Sequence, residues 1–118
     1  MEWEVIFYEN SEGIDPVSEF LNSLAVQDRA KVTRLFSLLA RYGVLLKEPY
    51  TRQIRGKLRE LRVIGKDGNI RILYFGMTGK RFVLLHGFMK KTGKTPAQDI
   101  NIALKRMEDF MERYGEGS

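Results

Sequence analysis

Apolar side chains along this chain alternate between strand-like and helix-like spacing. Trp3-Glu4-Val5-Ile6-Phe7-Tyr8 is aromatic and β-branched, starts with apolar/acidic alternation, and stops at Asn10-Ser11-Glu12-Gly13. It predicts a first strand. Asp15-Pro16 then reads as an N-cap with proline at the first helical position. Val17, Phe20, Leu21 and Leu24 follow at i, i+3, i+4 and i+7, the stripe of a short amphipathic helix. A second helix is predicted from Val26 or Gln27, with Val32, Leu35, Phe36 and Leu39 as its stripe and Gly43 just past its end. Arg29, Lys31, Arg34 and Arg41 lie largely outside that stripe. Two helices on so short a connection make an antiparallel pair, and the pair needs a surface on which to bury its shared stripe.

The downstream sequence supplies one. Leu58 to Ile64 is a mixed strand ending in the turn-forming run Gly65-Lys66-Asp67-Gly68-Asn69. Ile70 to Phe75 resumes as strand, Gly76 to Gly79 turns again, and Phe82 to Phe88 is apolar on both faces, as a central strand must be. These three strands read as an antiparallel meander joined by the first strand. Thr95-Pro96-Ala97-Gln98 combines an N-cap threonine, proline at N1 and glutamine at N3, close to a capping box. Ile100, Ala103, Leu104, Met107, Met111 and Tyr114 then repeat at helical spacing, and Gly115 to Ser118 frays off. The expected fold is α+β in the order β-α-α-β-β-β-α. It has an antiparallel sheet with a helix pair packed on it, a C-terminal helix, and one domain over residues 1–118.

Composition narrows the chemistry. With 118 residues, 43% of them hydrophobic and 30% charged, the chain buries one core without staples. It has no cysteine and one histidine, which excludes disulfide frameworks, zinc ribbons, thiol catalysis and the HExxH zinc motif. No metal or other cofactor is expected. The start, Met-Glu-Trp-Glu, lacks the basic segment of a secretory signal. The longest mostly apolar stretch, Leu35 to Ala40, is far short of the roughly 18 residues that would suggest a membrane span. A cytoplasmic protein without a membrane partner is expected.

Charge changes the picture more. Twenty Lys and Arg against fifteen Asp and Glu give a net charge of +5. Between Arg52 and Lys94, however, twelve basic residues face only Glu60 and Asp67, a net +10, so the rest of the chain carries −5. A basic middle between acidic flanks suggests a polyanion partner, most simply nucleic acid. Exposed Lys and Arg also discourage strand edges from pairing, so the asymmetry has a structural reading too.

Candidate chemistry sits in that middle. Gly93-Lys94-Thr95 looks like the end of a P-loop, but the spacing requires a glycine five residues before Gly93, and Gly87 is one too far. His86 is either a satisfied core residue or a general acid/base beside a basic cleft. On a regular strand it shares a face with Leu84 and Phe88. Glu60 and Asp67, seven apart, do not make the paired carboxylates of a two-metal nuclease. Phosphodiester chemistry would instead use cations that orient phosphate and neutralise developing charge. Lys57, Arg59 and Arg62 lie in or beside one strand, Arg71 on the next, and Lys90-Lys91 past the third. Glu60 and Arg62 share a strand face while Arg59 points the other way. Arg71, between Ile70 and Ile72, needs a partner, and a phosphate or Glu60 would serve.

The blocks Lys57-Leu58-Arg59-Glu60-Leu61-Arg62, Arg71-Ile72-Leu73-Tyr74-Phe75, Leu85 to Thr92 and Thr95-Pro96, in this order, resemble the HigB-like, phage-derived branch of the RelE/ParE toxin superfamily. The resemblance spans nearly the whole chain and implies a small RelE-like fold. It implies the toxin of a type II toxin–antitoxin pair, a ribosome-dependent endoribonuclease that works by 2′-hydroxyl attack without metal. The implied catalytic residues are Arg71, Lys91, Arg62 and Glu60, with Lys91 ahead of Lys90 for stabilising the phosphate. Lys57, Arg59, Lys90 and His86 are the implied RNA-binding residues. Glu60 stands where some relatives are basic, so it is either a base or an ion-pair partner. The implied partners are a HigA-like helix-turn-helix antitoxin, the ribosome and mRNA. A gyrase-directed toxin and a non-catalytic RNA-binding module are the alternatives. Tyr114 is read as packing.

Overall fold

The computed structural model describes residues 2–91 and 94–115. Thr92 and Gly93, from the basic block and the P-loop look-alike, and the glycine-rich tail beyond Gly115 lie outside the described residues. Local signals set the first helices. The Asp15 carboxylate accepts from the Ser18 amide at 3.0 Å, and Pro16 opens helix α1, Pro16–Asn22. After Ser23 to Ala25, helix α2 runs Val26–Tyr42. It ends at Gly43, whose φ of 56° opens a short 3-10 turn, Gly43–Leu45. A Cβ at Gly43 would also run into the Trp3 indole, so both conformation and contact require glycine.

Five strands form one sheet: β1 Glu4–Phe7, β2 Thr51–Arg55, β3 Leu58–Ile64, β4 Asn69–Met77 and β5 Arg81–Lys90. Their spatial order is β1-β5-β4-β3-β2. The expected meander is present as β3-β4-β5, and β5 is interior, flanked by β1 and β4. Two features differ from expectation. β1 pairs with β5 in parallel, so the sheet is mixed. An additional edge strand, β2, pairs antiparallel with β3. Its sequence Thr-Arg-Gln-Ile-Arg lacks apolar alternation, because an edge strand buries little and its cations keep other chains away.

The two-residue period sorts the core. Leu61, Ile70, Ile72, Tyr74 and Leu84 face α1 and α2, where Val17, Leu21, Val32, Leu35, Phe36 and Leu39 meet them. Leu58, Leu73, Phe75, Val83, Leu85 and Phe88 face the other way and are covered by α3, Ala97–Tyr114, through Ala103 and Phe110. Phe110 takes the inner position. Tyr114, expected to pack inside, is 60% exposed and lies against the Phe110 ring at 4.6 Å. The expected cap of α3 also differs. Pro96 occupies the N-cap position without a side-chain hydrogen bond, and the Thr95 hydroxyl is used elsewhere.

Candidate functional site

Helix α3 begins at Ala97 and covers the sheet face over Leu58, Phe75 and Val83. The same face continues past its N-terminal end and there becomes polar. Register brings the side chains together: Arg62 pairs with Arg71, and Arg71 with Phe88. One step along, Arg52 pairs with Glu60, Glu60 with Leu73, and Leu73 with His86. Lys90 follows Phe88 on the same face. Two arginines directly opposite one another repel unless a counter-charge sits between them.

Glu60 is that counter-charge. It is 0% exposed, its Oε1 lies 3.5 Å from Arg71 Nε and 3.9 Å from Arg62 Nε, and its Oε2 accepts from the Thr95 hydroxyl at 2.6 Å. Thr95 thus ties the approach to α3 to β3. Arg71 is 5% exposed and donates to the Ile70 carbonyl at 3.0 Å. Glu60 Oε1, Arg62 Nε and Arg71 Nε are buried atoms without a hydrogen-bond partner. The ion pairs are close enough for strong Coulomb attraction and too long for direct hydrogen bonds.

Lys90 completes the group at 6% exposure. Burial lowers its pKa; Glu60 pulls the other way, while Arg71, Arg62 and Arg52 add to the lowering. An ammonium in that setting gives up its proton more readily than a surface lysine. Burial lowers Arg71 as well, again opposed by Glu60, but a guanidinium remains cationic. A cavity of about 210 Å³ lies alongside, between Arg52 and Ile54 of β2, Lys90 and Thr95, and Ile100 of α3.

The residues singled out from the sequence are divided by the fold. Glu60, Arg62, Arg71 and Lys90 converge. Lys91 is exposed beyond the end of β5, and Lys57 is exposed in the turn that opens β3. Arg59 points to the opposite face, as its strand position predicts, and donates to Thr51 Oγ1 at 3.1 Å. Arg52 and Thr95 were not singled out as site residues. In the sequence Arg52 carries only its charge as a signal, and the Thr95-Pro96 pair predicts a helix cap.

His86 does not share a face with Leu84. The β4–β5 ladder shifts between Leu73/His86 and Tyr74/Leu84, leaving Leu85 as an extra residue. A bulge of this kind moves every later side chain by one position. His86 therefore joins Leu85 and Phe88 on the α3 side, where its Nε2 meets Asp99 Oδ1 at 2.7 Å and its Nδ1 meets Arg106 at 3.1 Å. Arg106 can only donate, so Nδ1 accepts and Nε2–H donates to Asp99, which describes a neutral imidazole. Its pKa is lowered, first by burial, with Asp99 opposing and Arg106 reinforcing.

The family model described as phage derived protein Gp49-like (DUF891) matches residues 19–108, from within α1 through most of α3. The chain belongs to this family. Gp49-like proteins are of the RelE/HigB-like toxin type, and the α+β architecture of this member is compatible with a small RelE-like fold. No curated protein matches the chain. Among the described residues, no helix of this Gp49-like protein is long and apolar enough to cross a membrane.

Proposed function

We propose that this Gp49-like protein is the toxin of a type II toxin–antitoxin pair and cuts mRNA on the ribosome in the cytoplasm. A HigA-like helix-turn-helix antitoxin would hold it inactive. One observation carries this reading: Arg62, Arg71 and Lys90 gather around a fully buried Glu60 on one sheet face. Such a floor suits a phosphodiester whose charge increases during reaction.

In the proposed reaction the 2′-hydroxyl oxygen forms a bond to the adjacent phosphorus and the bond from phosphorus to the 5′-oxygen breaks. The products are a 2′,3′-cyclic phosphate and a 5′-hydroxyl. The 2′-hydroxyl proton passes to solvent water and the 5′-oxygen gains one from Lys90. Arg62, whose side chain is partly exposed beside Glu60, and Arg71 behind it supply the positive charge that faces the phosphate oxygens. Lys90, its pKa lowered, serves proton transfer to the leaving oxygen. Glu60 acts as counter-ion and positioning residue, since a carboxylate with no exposed surface reaches substrate poorly. Lys91 and Lys57, exposed on either side, contact the RNA backbone and strengthen binding without taking part in the chemistry.

RNA-end mapping after brief induction tests the proposal, with wild type beside Arg71→Ala. Cuts within translated codons carrying 5′-hydroxyl ends, absent from a folded Arg71→Ala variant and from reactions without ribosomes, are expected. Full cutting by folded Arg71→Ala removes the proposed centre. Growth arrest with DNA damage and intact mRNA would instead indicate a gyrase-directed toxin.

A further inference from the structure

We infer that the cavity between β2, Lys90 and the start of α3 is a binding site for a phosphate group, with Arg52 as its principal contact. The cavity measures about 210 Å³, against about 30 Å³ for one water, so a phosphate group has room in it. Arg52 and Ile54 alternate onto one face of β2 and form one wall. Thr95, before α3, and Ile100, in its first turn, form another, and Lys94 lines the cavity from an exposed position. Ile54 and Ile100 are half-buried, and apolar walls strengthen the charge interactions between them.

Three donors meet there. Arg52 is exposed and stands opposite Glu60 in the ladder, but among the described residues its guanidinium makes no hydrogen bond or ion pair. Lys90 starts on β5, with β4 and β3 between it and β2, and still lines the same cavity, so its side chain extends toward Arg52. It is 6% exposed, and among the described residues its ammonium meets no hydrogen-bond acceptor. A buried cation without an acceptor is costly, and a bound anion offsets that cost. The third donor is the start of α3. Its N-cap is Pro96, which makes no side-chain hydrogen bond to the first amides, and such an N-terminus favours phosphate through free N–H groups and the helix dipole.

No carboxylate is among the lining residues. Asp99, in the first turn of α3, is committed to His86 Nε2 at 2.7 Å. Glu60, behind the Thr95 hydroxyl, opposes an anion, but it is fully buried and its charge is shared by Arg62 and Arg71. Those two arginines do not line the cavity, so the site lies beside the floor assigned to the cleaved phosphate, with Lys90 bordering both. On the ribonuclease reading, on which this consequence alone rests, the cavity holds the phosphate next to the one that is cut. Arg52 then fixes the register of the RNA over Lys90, and binding at that distance positions the reacting phosphate.

The test titrates inorganic phosphate into the isotope-labelled full chain at constant ionic strength, with chloride as the control. The amide signals of Thr95, Ala97 and Gln98 should shift and saturate with a Kd of about 1 mM, and chloride should leave them in place. Arg52→Gln, at an exposed position, should weaken binding about tenfold. Ala97→Pro deletes one amide donor at the helix start and should weaken it about threefold. Proline is tolerated at that position, and Pro96 already has the extended ψ of 142° that a following proline requires. Thermal melts of both variants should therefore match wild type. No saturation, equal shifts with chloride, or unchanged affinity in both variants overturns the inference. A labelled 2′-O-methyl oligouridine separates the sources of the phosphate. Its displacement by inorganic phosphate, together with weaker binding by Arg52→Gln, assigns the site to RNA. Phosphate binding that leaves the oligonucleotide undisturbed assigns it to a free phosphate compound and removes the link to cleavage. Phosphate binding by a protein that cuts no RNA leaves the site standing and removes only the ribonuclease reading.

Discussion

Replacing Glu60 with glutamine probes the centre of the charged cluster while keeping its shape. Glutamine still accepts from the Thr95 hydroxyl, which now lies 2.6 Å from Glu60 Oε2. What disappears is the negative charge between Arg71, Arg62 and Lys90. At 3.5 Å from Arg71 Nε and an effective dielectric of about 20, the lost attraction is about 5 kcal/mol before solvation is considered. Removing one partner of a buried pair typically costs about 3–5 kcal/mol. Because these pairs lack direct hydrogen bonds, the low end, about 3 kcal/mol, is expected. For a chain of this size that is a fall in Tm of about 10–15 °C, measured by thermal and urea unfolding. Combining Glu60→Gln with Arg71→Gln should cost less than the two separate losses added together, since neither charge is then buried alone. The substitution also removes the influence that holds the Lys90 pKa up. If Lys90 donates a proton to the leaving oxygen, the alkaline limb of the cleavage rate moves to lower pH. A Glu60→Gln protein with stability within about 0.5 kcal/mol of wild type and an unchanged pH profile would refute the counter-ion reasoning.

Two further outcomes follow from the same geometry. Lys90→Ala should lower single-turnover cleavage about a hundredfold and abolish the alkaline limb, whereas Lys91→Ala should mainly weaken RNA binding and reduce its salt dependence by about one charge. Equal effects on rate and affinity in both variants would remove the distinction. His86 has a folded pKa below its ordinary 6.5, caused first by burial, with Asp99 opposing and Arg106 adding to the lowering. Its unfolded form therefore takes up a proton first on acidification. The contribution is fully present above pH about 6.5 and declines as pH falls toward the folded value. Melts of wild type and His86→Gln from pH 8 downward should converge with acidification, and parallel curves would contradict this account.

The buried pairing explains how Arg62 and Arg71 stand opposite each other within a sheet. Cross-strand like charges destabilise, and Glu60 offsets them from within its own strand. Thr95 then links that carboxylate to the entry of α3. The cost is that Glu60 Oε1, Arg62 Nε and Arg71 Nε are buried without hydrogen-bond partners among the described residues.

By itself the sequence determined the helices, because their contacts lie within four residues along the chain. Asp15-Pro16, the i, i+3, i+4 stripes and Gly43 were therefore all legible. It also determined the three long apolar strands, the α+β class, and the concentration of cations between Arg52 and Lys94. It separated Arg59 from Glu60 and Arg62 by strand alternation alone. Only the tertiary structure decided which cations meet. Cross-strand neighbours depend on register, a relation between distant segments that no local window contains. The bulge at Leu85 turned His86 from the face of Leu84 to that of Asp99. Strand β2, too polar to be read as a strand, brought Arg52 opposite Glu60. The last turn before α3 carried Thr95 from an expected helix cap to the buried carboxylate, since a hydroxyl gains more beside an enclosed charge than at a solvated helix end.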